Sequence, residues 1–303
     1  MSVIAERFAA LCPDVPCRLG VPMSEYTSFK IGGPVPVLAQ PRSSKETAEC
    51  VAAAEREGIR YLVVGNGTNL LFPDEGAEML IIRTAPDAGE ITSPEPGVLR
   101  AEAGTALSVL AMHAMRLGLT GLEFAHGIPG SVGGAVYMNA GAYGGEMRGV
   151  VRTVGAFLDQ MKTYSGDECA FGKRRSRFTE SSETILWAEF ALSPGDPEKI
   201  RQTMETLSRK RRESQPLNLP SAGSFFKRPE NGYAGAMIEQ CGLKGFAVGG
   251  AQVSEKHAGF VVNRGGATCR DVIALMKEVQ KRVLDRFGTM LEPEVRIIRR
   301  EEA

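Results

Sequence analysis

The sequence predicts a soluble α+β protein, on three observations. Strand-like and helix-like stretches are mixed along 303 residues without the regular βαβ alternation of a doubly wound parallel sheet. An apolar share of 43% beside 24% charged residues is that of a chain able to bury ordinary cores. Glycine, 35 residues in all, is gathered into blocks instead of being spread through linkers, so it marks places where the backbone turns sharply or is approached closely.

In chain order, residues 1–20 read as a short helix and a proline-bounded turn, and 35–39 as a strand. A helix over 44–58 follows, with Ser43 or Ser44 as its N-cap, Glu46 in its first turn and Gly58 as its stop. Strands over 61–64 and 79–82 flank the segment GNGTNLL. Beyond the polar turn 93–97, residues 98–103 read as a strand and 105–117 as a helix ended by Gly118. The densest glycine block then runs from Gly127 to Gly145, and strands over 150–157 and 184–192 flank a basic segment. A charged helix over 198–213 leads into the last part, which carries a helix over 271–287 and a closing strand over 294–298.

Composition excludes several classes. Lysine plus arginine equals aspartate plus glutamate at 36 each, so no global field draws in nucleic acid or an acidic membrane. No secretory signal is expected, and no run approaches the roughly 18 apolar residues of a transmembrane helix. The six cysteines form no CxxC pair and the three histidines are not paired at i,i+4, so free thiols and no metal site are expected.

Two glycine segments carry the first chemistry. A strand that ends in Gly65-Asn66-Gly67-Thr68-Asn69 is either a tight turn or a nest of amide N–H groups for a pyrophosphate. It has neither the GKS/T of a Walker A loop nor the GxGxxG of a dinucleotide-binding helix. The block GIPGSVGGAVYMNAGAYGGE serves either close backbone packing or close approach to a large phosphorylated ligand.

The polar candidates are ambiguous one at a time. Arg174 lies in FGKRRSRF, a basic run that is either a solvated loop or, bracketed by Phe171 and Phe178, anchored to a core. Ser224, in SAGSFFKRP, lacks the GxSxG elbow of a hydrolase and reads alone as a turn residue. Glu294 alone reads as a strand-edge acid and His257 as a structural residue.

Taken together, the segments TSFKIGG, GNGTNLL, GLEFAHGIPGSVGGAVYMNAGAYGGE, FGKRRSRF, QPLNLPSAGSFFKRP, GLKGFAVGGAQVSEKHAGFVVN and EPEVRII resemble, in order, the UDP-N-acetylenolpyruvoylglucosamine reductases of peptidoglycan synthesis. The resemblance covers nearly the whole chain. It implies a small N-terminal α/β piece (1–58) and a mixed α+β domain (59–197) that together hold FAD, as in vanillyl-alcohol-oxidase-type flavoproteins. A C-terminal α+β substrate domain (198–303) completes it. The FAD contacts it implies are Gly65, Asn66, Gly67, Thr68 and Asn69; Gly127, Ile128, Pro129, Gly130, Ser131, Gly133 and Gly134; and Arg296 near the flavin ring.

The activity it implies is reduction of a UDP-sugar enolpyruvyl ether with NADPH as co-substrate. The hydride passes from flavin N5 to the vinyl carbon, Ser224 supplies the proton, and Arg174 and Glu294 polarise the carboxylate. Arg175 is the alternative arginine in the same run. Lys173 stands where the family often has tyrosine, and the chain has no room for the tyrosine-bearing loop of some members, so it is similar to the shorter subclass. There Lys227, Arg228 and His257 are the candidate diphosphate contacts. The expected setting is cytoplasmic and monomeric, without nucleic acid or membrane as partner. The rival readings are another flavin oxidoreductase on the same FAD domain, and a nucleic-acid binder using the basic runs 173–177 and 209–212.

Overall fold

The structure, a computed structural model, describes residues 3–84 and 90–300. The chain divides into two compact units: residues 1–19, 37–66 and 79–211 form the first, and 20–36, 67–78 and 212–303 the second. The division at 211/212 falls inside the charged helix Pro197–Ser214, which buries only Ile200 and Met204.

The first unit has two cores. In one, Pro34–Ala39, Leu80–Arg83 and Tyr61–Val64 pair in parallel, and the helices Val3–Leu11 and Ser44–Arg56 cover them with Phe8, Cys50, Val51 and Ala54. Ser43 caps the second helix by accepting from the Glu46 amide, as its sequence position requires. The other core lies on a five-stranded sheet ordered Met161–Ser165, Val151–Phe157, Thr184–Ala191, Val98–Glu102, Thr92–Glu95, antiparallel at every pairing. Leu107, Leu110, Ala111 and Ala114 of the helix Leu107–Arg116 form one apolar stripe in this core.

The strand Cys17–Pro22 lies where the sequence reads as a turn; four of its six positions are exposed, so it shows no alternation of apolar and polar residues. Within the glycine block, Val132–Tyr137 is a helix despite Gly133 and Gly134. The Gly133 amide donates to the Ala103 carbonyl at 2.8 Å, a tertiary contact that outweighs poor helix propensity.

The second unit is built on an antiparallel sheet ordered Ser221–Ser224, Phe260–Asn263, Ala251–Val253, Ala247–Val248. The helix Cys269–Phe287 buries Val272, Leu275, Val279 and Val283, one face at helical spacing. A Thr268–Asp271 capping box starts it and Gly288, at φ 64°, ends it. The expected closing strand is shorter than 294–298: only Arg296–Ile297 pairs, in parallel with Leu70–Leu71.

The start of that long helix has a second cap. The half-buried Asp74 carboxylate accepts from the amides of Cys269 at 2.7 Å and Arg270 at 3.1 Å, groups that have no intrahelical partner. Asp74→Ala is expected to destabilise the protein by about 1 kcal/mol, seen as a lower urea midpoint. An unchanged midpoint would show that water replaces the carboxylate at no cost.

Candidate active site

In the first unit the two glycine segments meet. A Cβ on Gly65 would lie 2.0 Å from the Ser131 hydroxyl oxygen, and Asn66 Nδ2 donates to the Pro129 carbonyl at 3.3 Å. Gly67 is at φ +63°, and a Cβ there would lie 2.2 Å from the Tyr26 carbonyl in the second unit's own fold, so both space and backbone conformation select glycine. Among the described residues, no acceptor receives the amides of Asn66, Gly67 and Thr68, or those of Gly130 and Ser131. Thr105 is 2% exposed and its hydroxyl has no partner among the described residues; its carbonyl accepts from Val132 at 2.9 Å, beside Ser131.

Within the first unit the unpaired amides of Asn66, Gly130 and Ser131, a Gly65 without room for a side chain and the orphaned buried Thr105 hydroxyl make a cradle that fits an anionic group of a dinucleotide such as FAD. Gly127 is packed differently: its Cβ position lies 3.2 Å from Arg211 Cδ. Burial pulls the Arg211 guanidinium below its ordinary value. In the sequence Arg211 is only one member of the basic run 209–212 and Thr105 only the start of a helix; nothing local marks either as part of this cradle.

Arg174 lies at the tip of a four-residue turn. The Gly172 amide donates to the Arg175 carbonyl at 2.9 Å, the Arg175 amide returns a bond at 3.4 Å, and Arg174 itself is at φ +55°. Its half-buried side chain reaches the Gly141 carbonyl, Nη2 to O 3.5 Å. Arg175 turns outward instead, pairing with Glu180 at 3.6 Å with both side chains mostly exposed. Phe178 is buried and Phe171 packs on the same core, so the basic run is anchored at both sides.

In the second unit Ser224 and Glu294 are brought together through one residue: the Glu294 amide donates to the Phe225 carbonyl at 2.8 Å. Ser221 pairs with Val262 and Ser224 with Phe260, leaving one extra residue on the serine strand. This bulge contains Gly223 at φ +79°. A bulge re-aims the side chain that follows it. Here Phe225 and Phe226 are buried and the Ser224 hydroxyl is exposed.

The glycine loop reaches the same place. Asn69 Nδ2 donates to the Glu294 carbonyl at 3.1 Å, and the Arg296 amide donates to the Asn69 carbonyl at 3.0 Å. Asn69, Glu294 and Arg296 therefore share one backbone cluster beside Ser224.

The diphosphate candidates are scattered in role. Lys227 pairs with Glu292 at 3.2 Å, and the Arg228 guanidinium lies 4.0 Å over the Tyr233 ring. His257 Nδ1 accepts from the Gly259 amide at 3.1 Å, and burial pushes its imidazole below the ordinary value. A neutral His257 with its proton on Nε2 follows.

Two family models match the chain: "FAD binding domain" over residues 35–164 and "UDP-N-acetylenolpyruvoylglucosamine reductase, C-terminal domain" over 215–298. A UDP-N-acetylenolpyruvoylglucosamine reductase of Caldanaerobacter subterraneus subsp. tengcongensis is 43% identical over 299 residues, 98% of each chain. One from Heliobacterium modesticaldum is 46% identical over 280 residues, covering 91% of this chain and 89% of that one. Among solved structures, the reductase of Thermus caldophilus superposes with a TM-score of 0.79 at 34% identity, over 93% of this chain and 98% of that one.

Proposed function

The chain belongs to the UDP-N-acetylenolpyruvoylglucosamine reductase family, and from that premise we propose how its own residues reduce the enolpyruvyl ether. The observation that carries the reading is an exposed serine on a glycine bulge beside a half-buried glutamate, whose backbone amide donates to the carbonyl of Phe225, the residue after the serine.

The resident cofactor is FAD, held by Gly65 to Asn69, by Gly127 to Ser131 with Gly133 and Gly134, and beside Arg296. FAD bound there would supply the hydride chemistry between NADPH and the vinyl carbon of the sugar ether. Arg174 holds the substrate carboxylate through the planar fork of its guanidinium, which matches two oxygens at once. As hydride arrives, negative charge grows on the carbon beside that carboxylate and spreads into it, so a fixed cation there lowers the barrier. Glu294 assists in its protonated form, as a donor to the same oxygens.

Ser224 then gives its hydroxyl proton to the carbanionic carbon. A serine hydroxyl is a weak acid, so the transfer depends on a strongly basic carbon and a fixed donor. The bulge supplies the fixed placement. Lys227, Arg228 and His257 are assigned to the UDP diphosphate, the first two by charge and His257 through Nε2–H. The setting is the cytoplasm, and the enzyme acts as a monomer in peptidoglycan precursor synthesis. Among the described residues no helix is long and apolar enough to cross a membrane.

The test is anaerobic mixing of the purified holoenzyme with NADPH, then with the enolpyruvyl sugar nucleotide. The flavin absorbance should bleach in the first step and recover in the second. Recovery with simple hydroxy-acid oxidation products, and none with the sugar nucleotide, would favour a different flavin oxidoreductase.

A further inference from the structure

Asn139 is 1% exposed and sits at φ +43°, just past the short helix of the glycine block. Its amide makes three bonds. Nδ2 donates to the Gly172 carbonyl at 3.0 Å and to Glu146 Oε2 at 3.1 Å, and Oδ1 accepts from the Arg148 amide at 3.0 Å.

Those partners are the supports of Arg174. Gly172 opens and closes the turn that has Arg174 at its tip. Glu146 pairs with Gly141 in a small hairpin, and the Gly141 carbonyl is where the Arg174 guanidinium rests. One buried side chain thus joins the backbone end and the guanidinium end of the same arginine. A second tie keeps the turn down: Ser176, 2% exposed, donates its hydroxyl to the Tyr137 carbonyl at 2.8 Å.

The turn needs such ties. Arg174 is the third residue of its turn at positive φ, a place normally taken by glycine or asparagine. Left alone, the chain would relax that residue to negative φ and swing the guanidinium away. Residue 139 has its own demands: positive φ, two N–H donors and an acceptor, all in a short side chain. Asparagine meets them all.

We propose that Asn139 is a positioning residue that sets the place of Arg174 on the substrate carboxylate, an inference that rests on the assignment of Arg174 above. The Asn139 side chain bonds the turn and the hairpin, not the Arg174 guanidinium itself. Its effect passes through the Gly172–Arg175 turn.

The experiment uses the FAD-loaded enzyme and four variants: Asn139→Gly, Asn139→Asp, Arg174→Lys, and Asn139→Asp with Arg174→Lys. Glycine keeps the positive φ and removes every bond. Aspartate keeps the shape and the acceptor for Arg148 but cannot donate to Gly172 while ionised. Both single Asn139 variants are expected to keep their full FAD content and the normal rate of flavin reduction by NADPH. Reoxidation by the saturating enolpyruvyl sugar should slow on the order of ten- to a hundred-fold, the scale of an ångström-sized misplacement. In the Arg174→Lys background the Asn139→Asp change should add less than about twofold, because residues that act as a unit are not additive.

Normal reoxidation in both Asn139 variants, or an equal slowing of the Arg174→Lys enzyme, overturns the proposal and leaves Arg174 standing. Normal reoxidation by Arg174→Lys overturns both assignments at once. Loss of FAD or of folded protein in both Asn139 variants makes Asn139 a folding residue and also ends the proposal.

Discussion

Ser224→Ala is expected to be reduced by NADPH at the normal rate and then to stay reduced when the enolpyruvyl sugar nucleotide is added. The two half-reactions ask different things of the protein. Hydride transfer from NADPH needs the cofactor in place and involves no proton from Ser224, whose hydroxyl is exposed on the second unit's sheet and makes no hydrogen bond among the described residues. Reduction of the ether leaves a carbanionic carbon that must be protonated. Removing a positioned general acid costs roughly a hundred- to ten-thousand-fold. The folded state should barely notice, since alanine keeps the backbone at the bulge and the buried neighbours Phe225 and Phe226 are untouched. Rapid-mixing absorbance of the flavin separates the two steps. Normal rates in both would remove Ser224 from the chemistry, and equal losses in both would make it a residue of the cofactor site.

The asymmetry also depends on how the serine is held. Gly223, at φ +79°, takes up the extra residue between the Ser221 and Ser224 pairings. The clue to this in the sequence is a glycine directly before a serine and two phenylalanines, and on its own it reads as a turn. What fixes its place is the strand partner Phe260 and the Glu294 amide bonded to Phe225. Both are far away in the chain, so local reading could not supply them.

Legibility followed the range of the forces involved. The helices Ser44–Arg56 and Cys269–Phe287 were legible because caps and apolar stripes are local. The helix Val132–Tyr137 was not, because it exists through the bond from Gly133 to Ala103 and against its own propensity. Among site residues, the glycines of the two segments announced themselves by type. The division between Arg174 and Arg175, by contrast, is decided by φ +55° at one and an exposed ion pair at the other, neither of which residue identity reveals. Asn139 reads as one more turn former until its bond to Gly172, 33 residues on, is seen.

Arg174→Lys is expected to show the same split as Ser224→Ala, and Arg175→Ala to show none. A lysine at 174 keeps the charge but offers a single ammonium where the carboxylate needs two parallel donors, and it must do so from a backbone at positive φ. As the carboxylate gains charge in the transition state, the missing donor is felt most at that point, so the loss falls on the rate of reoxidation. It should be roughly a hundred- to a thousand-fold, the usual effect of removing one preorganised donor to a developing oxyanion. Flavin reduction by NADPH should remain normal. Arg175 stands next in the chain with the same guanidinium, yet its partner is Glu180 at 3.6 Å on the exposed side of the turn. Exposed pairs of this kind contribute little, so Arg175→Ala should run both half-reactions at the normal rate. If Arg175→Ala stalls reoxidation and Arg174→Lys does not, the arginine that holds the carboxylate is Arg175, and the turn must present its other face to the substrate.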